Sequence, residues 1–142
     1  MEKKDLLKDV IKHIDIKSYN STELIDAMRN MSFTSRDTAR AADILMMMCK
    51  EKECTNILTL AGSTSAAGCM QVYVDMVRNK MIDVVVATGA SIIDMDLFEA
   101  LGFKHYIGEK ENVIADTTLR DLYIDRIYDT YIDEEELQAC DH

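Results

Sequence analysis

Two stretches of small, hydroxyl-bearing residues hold the clearest chemical potential in this 142-residue chain. The first reads Ala-Gly-Ser-Thr-Ser-Ala-Ala-Gly from Ala61 to Gly68. Gly62 and Gly68 permit tight backbone geometry. Ser63, Thr64 and Ser65 supply hydroxyls, and the N–H groups opening the helical pattern that follows would face an anion. The second, Thr88 to Ser91, reads Thr-Gly-Ala-Ser. There Thr88 offers a hydroxyl, Gly89 and Ala90 allow close approach, and Asp94 or Asp96 downstream can accept from ribose hydroxyls. This chemistry suits a phosphate or pyrophosphate. Neither stretch is a G-x-G-x-x-G or a P-loop, since the lysine nearest the first, Lys80, comes after the helix. Small residues also serve close helix-to-strand packing, and that alternative stays open for each stretch taken alone.

Other reactive groups are sparse. The cysteines at 49, 54, 69 and 140 repeat no spacing, and His13, His105 and His142 are scattered. No zinc pattern assembles from them, and free thiols are expected. Cys69 falls at the beginning of a helical pattern, where a thiol pKa can be lowered; a buried, inert thiol is the other reading. No Ser-His-Asp arrangement is visible. The chain is therefore assigned no catalytic residue and no metal ligand.

The elements that must position the two stretches follow from periodicity. Leu6, Leu7, Val10, Ile11 and Ile14 recur at helical spacing. Asn20 with Glu23 resembles a capping box ahead of Leu24, Ile25 and Met28, and residues 37–52 read as a longer helix. Asn56 to Leu60 is a short apolar run leading into the first stretch. Met70, Val74 and Val77 then mark a helix. Met81 to Ala87 is the best strand pattern, its consecutive valines fitting a strand buried on both faces of a parallel sheet. A helix is expected over 94–101, with Gly102 as its C-cap, and a third strand over 103–107. Residues 56–107 thus predict a parallel α/β unit with right-handed crossovers. Ligands of such sheets bind at the carboxyl ends of the strands. Adjacent strands lie about 4.8 Å apart, so the two stretches should sit side by side.

Composition limits what the chain can do. Sixteen Lys and Arg against 26 Asp and Glu give a formal charge of −10, which argues against a sequence-independent grip on nucleic acid. The balance suits polyamines and basic proteins. Residues 116–142 hold nine acids and two arginines, with Leu119, Leu122, Ile124, Ile127, Tyr128 and Tyr131 as apolar anchors and a short helix opened by Asp133 to Glu136. No apolar run approaches the roughly 20 residues that span a bilayer, and the first residues lack a signal-peptide pattern. A cytoplasmic location without membrane association is the expectation.

Several blocks in order carry a resemblance: Ser32 to Ala41, Leu60 to Gly68, Met81 to Ala90 with Asp94 and Asp96, Phe103 to Gly108, and Asp125 to Leu137. Together they resemble the N-terminal half of deoxyhypusine synthase, particularly its archaeal and deoxyhypusine-synthase-like members, over roughly residues 25–140. The resemblance implies an α/β fold that is part of a Rossmann-like parallel sheet, with N-terminal helices over 1–55 and the N-terminal part of an NAD-binding domain over 56–142. It implies NAD as cofactor, oxidation of spermidine, and transfer of its aminobutyl group through an enzyme lysine to a lysine of the translation factor eIF5A, in tetramers with NAD at subunit interfaces. The family's Thr-Ser-Asn loop falls on Thr64, Ser65 and Ala66, and a later serine on Cys69. Its Thr-Ala-Gly-Gly loop falls on Thr88, Gly89, Ala90 and Ser91, and its ribose-binding acid on Asp94 or the nearby Asp96. Ala66 stands in place of an amide and Cys69 in place of a hydroxyl.

The family's acceptor lysine, its spermidine-binding acids and its further NAD loops belong to a half that this chain does not show. The expectation is a non-autonomous piece that supplies part of an NAD cleft, completed by a second polypeptide carrying the C-terminal half. The alternatives are a piece of a homospermidine-synthase-like enzyme and a non-catalytic regulatory subunit.

Overall fold

A computed structural model describes residues 1–108 and 113–140. His142 lies outside the described residues. The helices are α1 (Lys3–Leu6), α2 (Thr22–Met28), α3 (Phe33–Lys50), α4 (Met70–Arg78), α5 (Gly89–Ser91), α6 (Phe98–Ala100), α7 (Asp116–Asp121) and α8 (Glu134–Cys140). The strands are β1 (Ile57–Leu60), β2 (Val84–Ala87), β3 (His105–Ile107), β4 (Ile124–Ile127) and β5 (Thr130–Asp133). The architecture is mixed α/β. β1 pairs with β2, and β3, β5 and β4 form a second sheet in that order.

Two compact units divide the chain: Met1–Ile14 with Leu60–Gln71 and Ala87–His142, and Asp15–Thr59 with Val72–Val86. In the second unit the start of β1 is pinned to the start of β2 through Asn56, which is buried. Its amide N donates to Asp83 Oδ2 at 2.8 Å, its side-chain Nδ2 to the Met81 carbonyl at 3.1 Å, and its carbonyl accepts from Val84 N at 3.2 Å. Asp75, 3 % exposed on α4, takes Lys17 Nζ at 2.8 Å. That hydrogen bond, foremost, holds the Lys17 ammonium above its ordinary pKa against the opposing effect of burial. α2 opens where Asn20 Oδ1 accepts from Thr22 N, so Asn20 caps two residues on and forms no box with Glu23.

The first unit builds its core on β5, the central strand of its sheet. Thr130, Tyr131 and Ile132 are all buried, and the side-chain alternation of a strand sends the last two to opposite faces. Tyr131 joins Leu6, Leu119 and Ile124; Ile132 joins Ala66, Met95 and Phe98. A two-residue turn, Tyr128–Asp129, links β4 to β5, with Ile127 opposite Thr130. Gly108 donates its N–H to the Asp129 carbonyl at 2.7 Å. A Cβ on Gly108 would lie 3.0 Å from both that oxygen and the Tyr131 ring, so no larger residue fits without a shift.

Three expectations are corrected. The apolar pattern at 10, 11 and 14 is not helical. Residues 9–14 run extended because their backbone groups pair elsewhere: Ile107 N to the Asp9 carbonyl at 2.7 Å, Ile11 N to the His105 carbonyl at 2.8 Å, and Ile14 N to the Gly68 carbonyl at 3.0 Å. The strand over 103–107 exists as β3, but it pairs antiparallel with β5 and does not extend the parallel pair. The valines of β2 are not covered on both faces: Val84, Val85 and Val86 are 42 %, 41 % and 55 % exposed.

Candidate functional site

The two small-residue stretches follow the carboxyl ends of β1 and β2. Thr88 N donates to the Leu60 carbonyl at 3.2 Å, in register with the bond from Val84 N to Asn56 O four residues earlier on each strand. That ascending register is parallel. The decisive contact is a single hydroxyl: Ser91 Oγ donates to the Gly62 carbonyl at 2.7 Å. With that proton committed, Thr88 Oγ1, 3.1 Å away, is left to donate to Ser91 Oγ. The expected juxtaposition of the stretches is therefore present, held by Ser91.

The first stretch enters its helix through a kink at Gly68, and the second through a wide turn of π type, Ile92–Leu97. In the first, Cys69 N reaches back to the Thr64 carbonyl at 3.1 Å. Gly68 adopts φ +91, which L side chains rarely take, and a Cβ there would approach the Lys12 carbonyl to 3.0 Å.

The expected site residues separate into four groups. Ser63 and Thr64 line a cavity of about 510 Å³ with Ala66 and Ala67. Its opposite wall is the Ile127–Thr130 hairpin tip, where Tyr128 is 94 % exposed. Thr88, Gly89 and Ala90 are exposed beside the Ser91 tie but outside that lining. Ser65 is buried, and its Oγ has no hydrogen-bond partner among the described residues. Cys69, Asp94 and Asp96 are half-buried and outside the cavity wall; one Asp96 oxygen, Oδ1, is buried without a partner among the described residues. Ala66 packs into the apolar cluster beneath the turn.

Sequence reasoning missed the hairpin tip. Tyr-Asp lacks the Asn-Gly or Asp-Gly signature of a two-residue turn, and Tyr128 sits at φ +55 without the usual glycine. It also missed a carboxyl pair in a second cavity of about 510 Å³, lined by Asp116, Tyr123, Asp125, Arg126 and Glu134 among others. A hydrogen bond with Glu134, then burial, pushes the Asp125 pKa up to about 6, while the same bond holds Glu134 below its ordinary value. Below about pH 6 the pair holds a proton, and Asp125 is its carrier.

Comparison with known proteins bears on this geometry. The family model for deoxyhypusine synthase matches residues 23–142. The chain belongs to the deoxyhypusine synthase family. It is 66 % identical over 141 residues to a deoxyhypusine synthase-like protein of Caulobacter vibrioides, covering 99 % of this chain and 38 % of that protein. A deoxyhypusine synthase-like protein of Coxiella burnetii is 59 % identical over 140 residues, with 99 % and 39 % covered. A probable deoxyhypusine synthase 2 of Methanosarcina acetivorans is 37 % identical over 129 residues, with 91 % and 36 % covered. The chain thus spans under two fifths of the length of these family members, matching their N-terminal part.

Proposed function

We propose that this chain supplies one wall of an NAD cleft in a deoxyhypusine-synthase-type transferase, as part of a Rossmann-like sheet. The observation that carries the reading is the Ser91–Gly62 hydrogen bond, which draws two hydroxyl-rich turns together beyond a parallel strand pair. Donors and space fit a phosphate-bearing dinucleotide. Thr64, Thr88, Gly89 and Ala90 are exposed, a Cβ on Gly89 would meet nothing within 4 Å, and Ser65 Oγ is a hydroxyl without a partner among the described residues. In this reading Ser63, Thr64, Ser65 and Thr88 hydrogen-bond the cofactor, Gly89 and Ala90 give it room, Asp94 or Asp96 takes ribose hydroxyls, and Cys69 borders it. NAD supplies the hydride acceptor for oxidation of spermidine. The chain's own residues bind and orient it.

The remaining length of the relatives, on a second polypeptide in a tetramer-like assembly, carries the lysine that accepts the aminobutyl group before its transfer to eIF5A. The open apolar face of β2 favours such a completing layer, because large exposed apolar patches mark interaction surfaces.

The test uses the chain assembled with a polypeptide bearing the rest of a family-length protein. NAD at 100 times its dissociation constant should stabilise that assembly by about 2.7 kcal/mol. Gly89→Val should remove the shift, and the unliganded melting temperature of the variant assembly, measured beside it, should stay near that of the native one, since a Cβ at this position meets nothing within 4 Å. Retention of the shift in Gly89→Val overturns the loop assignment. Transfer of label from spermidine to eIF5A, run beside transfer to a free diamine, separates the deoxyhypusine reaction from a homospermidine-forming one.

A further inference from the structure

Outside the candidate cleft, three ionisable side chains from three separate elements meet inside the first unit. Glu99, on α6, is flanked by two imidazoles. His105 Nδ1 on β3 lies 2.5 Å from Glu99 Oε1, and His13 Nε2 on the extended segment bonds Glu99 Oε2. The side chains are 0 %, 6 % and 17 % exposed for His105, Glu99 and His13. Each imidazole takes its own carboxylate oxygen, so the three do not converge on a single point as metal ligands would. Phe98 closes the His105 ring from its edge, and Phe103 stacks on Phe98.

The charge account of this cluster is unbalanced in an informative way. Burial would push the Glu99 carboxyl up, but the hydrogen bonds and charges of His105 and His13 outweigh it and hold the group below its ordinary range. Those two rings are the titratable groups that face it among the described residues. Asp9 and Lys12 on the extended segment and Lys104 beside His105 are exposed to solvent, and the half-buried Asp94 and Asp96 lie earlier in the same helical run. Each imidazole uses one nitrogen on Glu99. The other nitrogens, His13 Nδ1 and His105 Nε2, are buried with no partner among the described residues. One proton shared by the two rings neutralises the carboxylate. A second gives the buried cluster a net positive charge and leaves both distal N–H groups as orphaned donors, which is costly away from water.

What the cluster holds is the segment 9–14. Its backbone bonds to β3 and to the Gly68 carbonyl are short and few, and a cavity of about 700 Å³ runs beside it, lined by residues 8–12 with Ala67 and Ile107. We propose that His13, Glu99 and His105 form a proton-operated latch that fastens residues 9–14 across β3 and onto the Gly68 turn. The latch is closed with one proton on the pair of rings and opens when the second arrives, freeing the turn that bears Ser65 and Cys69. It stands without the cofactor reading, because nothing in it requires NAD.

The test is amide exchange on the full chain across pH, following Ile11, Ile14 and Ile107, with the Leu119 amide of α7 as a monitor of global opening. Protection at the three strap amides, corrected for intrinsic exchange, should fall by at least about tenfold on acidification while Leu119 stays protected. Imidazole 15N shifts of the native chain should show the second ring protonation at the same midpoint. His13→Gln keeps an N–H donor for Glu99 but takes no proton, so its strap should remain protected near neutrality and lose the acid-side fall. Coincident pH profiles for the native chain and His13→Gln, or a strap midpoint separate from the ring titration, would overturn the latch.

Discussion

β5 and β2 are four-residue strands of opposite fate. Both are short strands with consecutive residues suited to burial on two faces. In β5 burial on two faces is reached within the first unit: Tyr131 and Ile132 are each 2 % exposed, in clusters on opposite sides of the sheet. In β2 every valine is more than two fifths exposed. The difference teaches that a run of valines fixes a strand and not its cover, and that burial is a property of what packs on a strand as much as of the strand itself.

Four substitutions break or sharpen this contrast. Ile132→Ala should have the largest effect, about 2–5 kcal/mol in urea unfolding, because it leaves a cavity among Ala66, Met95 and Phe98. Gly68→Ala should cost roughly 1–2 kcal/mol, since φ +91 and the Lys12 carbonyl at 3.0 Å both oppose a side chain; the loss should appear as faster exchange at Ile14.

Asp125→Asn tests the carboxyl pair. A folded pKa raised above the unfolded one gives stability that is complete below the ordinary carboxylate range and is lost as pH rises through about 6. The variant should therefore be more stable than the native chain above pH 6 by roughly 1 kcal/mol, a figure reduced for solvent screening, and should show a flatter pH–stability curve. Glu99 has the opposite sign: its depressed pKa contributes stability that is lost as pH falls through its folded value.

Val85→Thr should have the smallest effect, under about 0.5 kcal/mol on the chain alone, as for a surface substitution. In the assembly with the rest of a family-length protein it should weaken association measurably. A cost on the isolated chain equal to that of Ile132→Ala would erase the distinction between the two strands.

The sequence made the helical and parallel parts legible for a physical reason. α3, α4, β1 and β2 carry strong local patterns, and the stretches after β1 and β2 have residue types with few uses other than turns and close contacts. The antiparallel sheet was not legible. β4 reads Ile-Asp-Arg-Ile and is joined by a turn without glycine, so its residues looked like anchors in an acidic tail. Segment 9–14 misled because apolar residues at 10, 11 and 14 satisfy a helical period, while the partners that keep it extended, His105 and Gly68, lie far along the chain. The same distance hid Glu99: it is separated from His13 by 86 residues, and no spacing rule joins them.

Ser91 and the cavity wall show how partial the sequence view of the site was. Thr88, Gly89 and Ala90 were visible as small and hydroxyl-bearing, but the residue that ties the turns is their neighbour. Its role depends on a carbonyl 29 positions earlier.

The opening residues carry a practical lesson about where a protein module begins. The family match starts at residue 23, yet Leu6 fills the Tyr131 cluster and the stretch behind it sits on the edge of β3. A version trimmed to the matched boundary would bare that edge and strip Glu99 of one hydrogen-bond partner. It would be prone to stick to itself through the uncapped strand, and its poor behaviour would be mistaken for a flaw in the matched part.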